Sequence, residues 1–129
     1  MNIQALRDLE NLIASAANEQ LMPHFLQVEA HSKPDGSVVT EVDLRMQSCL
    51  QQGLISSWPQ FELLGEEMDA EQQAGLMQDA KQGLWIVDPL DGTSNFAAGI
   101  PVFAVSVALL RNGQVEAGVV YDPVRAESF

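Results

Sequence analysis

The sequence predicts an α+β fold, a layered α/β sandwich in which an antiparallel sheet is covered by two helices. Three observations predict it. In the first half, apolar residues recur at helical spacing: Leu6, Leu9, Ile13, Ala16 and Ala17, then Val42, Met46, Cys49, Leu50 and Leu54. In the second half they alternate, with Phe103, Val105, Val107 and Leu109 on one face and Val102, Ala104, Ser106 and Ala108 on a smaller one. Between these lies Leu84-Trp85-Ile86-Val87, an unbroken apolar run of strand length, as expected of a strand covered on both faces. A hairpin beside a buried strand, with two amphipathic helices to cover the sheet, is a two-layer arrangement.

The elements follow in order. Residues 4–29 form the first helix, with Pro23 bending or interrupting it near Leu21-Met22, because proline has no N–H for the helical ladder. Lys33-Pro34-Asp35-Gly36 is turn chemistry, and Ser37-Val38-Val39 is a short strand candidate. Thr40 is placed as an N-cap, with Asp43 three residues on in capping-box position, and the second helix then runs to about Ser57 before Pro59. Phe61 to Leu64 is a second buried strand, and Glu66 to Gln82 is acidic and Gln-rich, part loop and part exposed helix. Asn112-Gly113 is the preferred dipeptide of a two-residue hairpin turn, and Val115, Ala117, Val119 and Tyr121 form the returning strand.

Composition narrows the function classes. The 129 residues suit one domain. Six Lys and Arg against 18 Asp and Glu give a net charge of -12. A hydrophobic fraction of 47% shows that this acidity is not that of a disordered tail. Nucleic acid and anionic membrane surfaces need clustered Lys and Arg, so neither is expected as a partner, whereas cations are. Cys49 is the only cysteine, which rules out an intrachain disulfide and argues against a thiolate zinc site; on the apolar face of its helix it is expected to be buried and inert. His24 and His31 lack ligand spacing. Met1 to Glu10 lacks the apolar stretch of a signal peptide, and the nearly apolar stretch Ala97 to Leu110 is too short to span a bilayer, so a soluble cytoplasmic protein is expected.

The chemistry concentrates in two acidic segments, Gly65-Glu66-Glu67 and Asp88-Pro89-Leu90-Asp91-Gly92-Thr93. Taken singly, the first reads as a solvated loop and the second as a common turn. Each, however, directly follows a buried strand, where a rigid scaffold hands side chains to a loop. If the two strands are neighbours, Glu66, Asp88 and Asp91 converge, and three carboxylates cannot all stay ionised without a cation. Oxygen ligands of this kind select Mg²⁺, Mn²⁺ or Ca²⁺. Asp88 and Asp91, three residues apart, can aim at one ion together with the Leu90 carbonyl, and Gly92-Thr93-Ser94 can open a short helix whose free N–H groups hold a phosphate oxygen. A cation cluster beside an anion-binding turn is the layout of metal-assisted phosphate-ester hydrolysis.

The string Trp85-Ile86-Val87-Asp88-Pro89-Leu90-Asp91-Gly92-Thr93-Ser94-Asn95-Phe96 closely resembles the first motif of the inositol monophosphatase family, magnesium-dependent and lithium-sensitive phosphatases. The resemblance extends to Lys33 through Asp43, similar to the family's lysine loop and Val-Thr-x-x-Asp segment. It extends also to Leu64-Gly65-Glu66-Glu67, and to Gly118-Val119-Val120-Tyr121-Asp122-Pro123. It implies the inositol monophosphatase / fructose-bisphosphatase type of sandwich. It implies Mg²⁺ ligated by Glu66, Asp88, Asp91 and the Leu90 carbonyl, with Mn²⁺ as a substitute and Ca²⁺ or Li⁺ as inhibitory ions. Glu67 would orient the attacking water, Asp43 and Thr93 would help activate it, the Gly92 and Thr93 amides would bind phosphate, and Lys33 would sit on a loop near the outermost metal.

The family continues well past the position matching Phe129. That second half supplies a further metal-binding Asp, in a Trp-Asp-x-Ala-Ala-Gly type motif, and most substrate contacts. Residues 1–129 are therefore expected to correspond to the amino-terminal half, with the carboxy-terminal half absent and a sheet face and edge left open. The expected activity is hydrolysis of a phosphate monoester, first an inositol monophosphate; 3′,5′-bisphosphorylated nucleotides, fructose bisphosphate and histidinol phosphate are the substrates of relatives with the same motif. The partner is then a small phosphorylated metabolite, and the resemblance implies a homodimer. The alternative is a catalytically incomplete module that binds a divalent cation or docks a partner.

Overall fold

The computed structural model describes residues 1–25, 37–66, 68–79 and 81–129. Helix α1 (Ile3–Gln20) starts at Asn2, whose side-chain oxygen accepts the Ala5 N–H at 2.8 Å. It stops before Pro23, and a short α2 (Met22–Phe25) follows, as the proline predicts. Residues 26–29 of the expected first helix and the turn at Lys33–Gly36 lie outside the described residues.

Helix α3 (Ser37–Ser57) ends at the expected residue and begins earlier than expected. Ser37-Val38-Val39 is helical rather than a strand, and Thr40 lies inside the helix rather than at its cap, so Asp43 does not close a capping box there. Extending a formed helix gains a hydrogen bond for each residue fixed, which outweighs the modest strand preference of two valines.

Five strands form one sheet in sequence order: β1 (Glu62–Gly65), β2 (Leu84–Asp91), β3 (Ala104–Arg111), β4 (Gln114–Asp122) and β5 (Glu127–Ser128). β1 runs parallel to β2 and all other neighbours are antiparallel, so the sheet is mixed where an antiparallel one was expected. The crossover between β1 and β2 contains α4 (Ala70–Asp79) and is long enough to return the chain to the same end of the sheet, as parallel pairing requires. The β3–β4 turn is the one the dipeptide predicts, with φ of 52° at Asn112 and 74° at Gly113. β5 carries too few residues to show a period; Val120 and Phe129 exchange backbone hydrogen bonds of 2.9 Å beside it.

The core lies between one face of the sheet and α1 with α3. Leu9, Ile13, Ala17 and Leu21 meet Val42, Met46, Leu50 and Leu54, and both sets cover Trp85, Val87, Val105, Val107, Leu109, Val119 and Tyr121. Register explains the strand set: Gly65, Val87, Val107 and Val119 are neighbours across four strands, as are Leu63, Trp85 and Leu109. The other face carries Leu64, Ile86, Ser106 and Ala108, all half-buried, and Val120, which is exposed. Ile86 qualifies the expectation that β2 is covered on both sides. Among the described residues no helix is long and apolar enough to cross a membrane.

Candidate metal and phosphate site

The parallel register decides what meets at the strand ends. Gly65 pairs with Val87, and the Glu66 N–H donates to the Val87 carbonyl at 3.3 Å, so the chain leaves β1 with Glu66 level with Asp88. Gly65 is buried, and a Cβ there would lie 2.3 Å from Gln47 Oε1 of α3. Only a residue without a side chain lets this strand end lie against α3 undisturbed. The Met68 N–H donates to the Gly65 carbonyl at 3.2 Å and closes a turn across this segment.

Alternation along β2 would send Asp88 and Asp91 to opposite faces. The structure avoids this with a bulge. Asp88 pairs with Ser106 and Asp91 with Ala104, so β2 spends one more residue than β3 over this stretch. Ser106 and Ala104 belong to the same face, and both carboxylates therefore leave the sheet on that face. Pro89 lies inside the bulge, where the lack of an N–H costs no ladder bond. The Leu90 N–H donates to Asp88 Oδ1 at 3.2 Å, which fixes the carboxyl group from behind.

Asp88 is pushed from its ordinary 3.8 to about 6. Burial is the largest cause, followed by a hydrogen bond to the Glu66 carboxyl group and by that group's charge; the Leu90 N–H acts in the opposite direction, and the charge of Asp91 adds a little. The Glu66–Asp88 pair thus needs a shared proton or a cation to be at ease near pH 7. Among the described residues no three His, Cys, Asp or Glu side chains are gathered closely enough to cage an ion by themselves. The donors at hand are the Glu66–Asp88 pair, Asp91 beside it and the Leu90 carbonyl. This all-oxygen set, with its unsatisfied negative charge, fits a hard divalent cation such as Mg²⁺ and does not fit a soft one.

The phosphate-binding expectation falls on α5 (Thr93–Ala97). Gly92 precedes it at φ 91°, a left-handed conformation, and a Cβ there would lie 2.9 Å from the Val102 carbonyl oxygen. Both facts require glycine. No side chain caps the helix start. The Thr93 hydroxyl donates to the Leu90 carbonyl at 3.1 Å, and the Asn95 amide donates to the Val102 carbonyl at 2.8 Å, tying α5 to the segment entering β3.

Asp43 is the one buried charged residue among those described, at 8% exposure on α3, which packs against α5 and β2. Its helix and the one bearing Thr93 are therefore in contact, while the Thr93 hydroxyl proton goes to Leu90. Lys33, Glu67 and His31 lie outside the described residues. Cys49 is half-buried rather than buried, and burial together with the Glu19 charge pushes its thiol up, keeping it in the unreactive form. Sequence reading missed Gln47, whose side-chain end lies against Gly65, and Gln73, which grips the Glu66 segment from α4. The Gln73 amide lies within reach of three carbonyls there, and nothing in the spacing of the glutamines announces it.

A strand–bulge–glycine unit that presents carboxylate and carbonyl oxygens beside an uncapped helix start is what the motif beginning at Trp85 encodes. The sequence model of the inositol monophosphatase family matches residues 2–129. The chain belongs to the inositol monophosphatase family. Among its curated relatives, Nus factor SuhB of Pseudomonas aeruginosa is 38% identical over 105 residues, covering 79% of this chain and 36% of that protein. An inositol-1-monophosphatase of Mesorhizobium japonicum is 41% identical over 97 residues, covering 75% of this chain and 35% of that protein. Inositol monophosphatase II of Staphylococcus aureus superposes with a TM-score of 0.77 at 28% identity, over 98% of this chain and 44% of its own. SuhB of Bartonella henselae gives 0.74 at 31% identity, over 100% and 47%. The chain thus spans less than half the length of each of these relatives.

Proposed function

We propose that this chain contributes a Mg²⁺-dependent site for hydrolysis of a phosphate monoester, with an inositol monophosphate as the first substrate to test. The observation that carries the reading is the Glu66–Asp88 pair, brought together by parallel strand register and raised in pKa at Asp88. Carboxylates that repel one another in the resting fold are poised to take a cation in place of a proton. Glu66, Asp88, Asp91 and the Leu90 carbonyl would hold Mg²⁺, which supplies charge neutralisation at phosphorus and acidifies water. The Gly92 and Thr93 amides, at the uncapped start of α5, would receive a phosphate oxygen. Asp43 and Thr93 lie on the two contacting helices and are assigned to accept and relay the proton of the attacking water, with Glu67 orienting that water and Lys33 near the outermost metal. The chain would act as the amino-terminal half of a larger catalytic unit, as a homodimer and in the cytoplasm.

Phosphate release from inositol 1-phosphate, measured with Mg²⁺ and with a chelator, tests this. Release that requires Mg²⁺, is inhibited by Li⁺ and disappears in Asp88→Asn is expected. Release that survives the chelator or the substitution overturns the reading. The relatives named Nus factor favour a second one, in which the fold binds a partner and hydrolyses nothing. On that reading wild type and Asp88→Asn are equally silent in the assay.

A further inference from the structure

We propose that Gln73 is a positioning residue for the metal-binding loop, holding Glu66 at the angle that lets it share a cation with Asp88. The inference rests on the metal-site reading above. Gln73 sits in the first turn of α4, half-buried. Its side-chain amide lies 3.1 Å from the Met68 carbonyl, 3.3 Å from the Gly65 carbonyl and 3.4 Å from the Glu66 carbonyl. Two N–H groups therefore serve three acceptors, and they bracket the residue that carries the ligand. The platform is itself fixed: Asp69 accepts the Gln72 N–H on its side chain at 2.8 Å and the Gln73 N–H on its carbonyl at 3.0 Å.

The chemistry favours glutamine over other residues of its size. Glutamate offers only acceptors at neutral pH and would repel all three carbonyls, and methionine fills the space without any donor. A lysine would bring a positive charge next to a cation site. Glutamine supplies donors with no net charge, so it draws the carbonyls towards α4 without competing with the ion. Without Gln73, Glu66 keeps its own N–H to Val87, at 3.3 Å, and the turn closed by the Met68 N–H on the Gly65 carbonyl, at 3.2 Å, but nothing among these holds its own carbonyl. A ligand on a less restrained backbone would have to be ordered when the cation arrives, and affinity would fall by the cost of that ordering.

The test compares wild type, Gln73→Met and Gln73→Glu, with Gln72→Met as a control on the exposed neighbour. Mn²⁺ titration followed by electron paramagnetic resonance reads affinity, and amide hydrogen exchange in the metal-free protein reads the loop. Loss of a net hydrogen bond predicts that Gln73→Met binds Mn²⁺ about fivefold more weakly, with exchange of the Glu66 and Met68 amides faster by a similar factor. Gln73→Glu should be weaker still, Gln72→Met unchanged, and all should keep the wild-type exchange pattern in β3 and β4. Mn²⁺ binding in wild type with equal affinity in Gln73→Met overturns the proposal while leaving the metal site standing. A wild type that binds no Mn²⁺ overturns both.

Discussion

Replacing Asp88 by asparagine should stabilise the metal-free protein while abolishing its response to Mg²⁺. The introduced amide keeps an oxygen to accept the Leu90 N–H and gains an N–H that can donate to the Glu66 carboxylate, so the substitution removes a repulsion without removing a hydrogen bond. The wild-type carboxyl group holds its proton to about pH 6 in the fold, against an ordinary value of 3.8. A raised carboxylate contributes most to stability below the lower value, and that contribution is lost as the pH rises through about 6. The full displacement corresponds to roughly 3 kcal/mol. Asp88 is only half-buried, and solvent screening brings this to about 1 kcal/mol. In a domain of this size that is about 4 °C in Tm. Thermal unfolding in a chelator should therefore find Asp88→Asn about 4 °C above wild type at pH 7 and level with it below pH 4. All titrating groups outside the Glu66–Asp88 pair are shared, so the difference between the two curves isolates that pair. At pH 7, Mg²⁺ at a hundred times its Kd should raise wild type by about 2.7 kcal/mol and leave the variant unmoved. Parallel pH curves, or a variant less stable than wild type in the chelator at pH 7, would refute the reasoning.

Gly92→Ala should cost roughly 2–3 kcal/mol in urea unfolding, because the new side chain meets left-handed strain and the Val102 backbone together, and neither can yield cheaply. Gly65→Ala meets only the flexible end of Gln47, so about 1 kcal/mol is expected, with a loss of Mn²⁺ affinity larger than the loss of stability because Glu66 is displaced. Ile13→Ala, at a fully buried position, should cost about 2–5 kcal/mol and leave Mn²⁺ affinity as it was.

Elements with a strong period or a single dominant residue were legible in the sequence. The amphipathic stripe of α1, the break at Pro23, the alternation of β3 and the Asn112-Gly113 turn all depend on residues close in sequence, and all stand where expected. The start of α3 was not legible, since Val38 and Val39 favour a strand locally while an adjoining helix recruits them. The parallel pairing of β1 with β2 was not legible either, because direction is set by the crossover and not by the four residues of β1. At the site, Glu66, Asp88 and Asp91 could be picked out because each acidic segment follows an apolar run in the sequence, although β2 continues through Asp88 to Asp91. The device that turns Asp91 to the same face as Asp88 could not, because a bulge exists only relative to the partner strand. Gln73 was hidden for a related reason: its three acceptors are backbone carbonyls, which every residue has.

The costs of the site fall within five residues, Asp88 to Gly92. They are an interrupted ladder, a carboxylate held against its neighbours, and a left-handed glycine pressed on the Val102 backbone. They lie at the margin of the packing between α1, α3 and the opposite sheet face, which they meet through Leu90 and through Phe103 beside Gly92, while Leu9, Ile13, Met46, Leu50, Leu54 and Trp85 are fully buried within it. Val87 and Asp88 are adjacent in sequence, yet one belongs to the core and the other to the site, because successive strand residues point to opposite faces. A strand end is thus where strain can be stored next to a core without loosening it, and where relieving that strain should raise stability at the expense of cation binding. The opposite signs expected for Asp88→Asn and Ile13→Ala follow from that division: one substitution relieves a repulsion between carboxylates at a strand end, the other empties a fully buried position in the core.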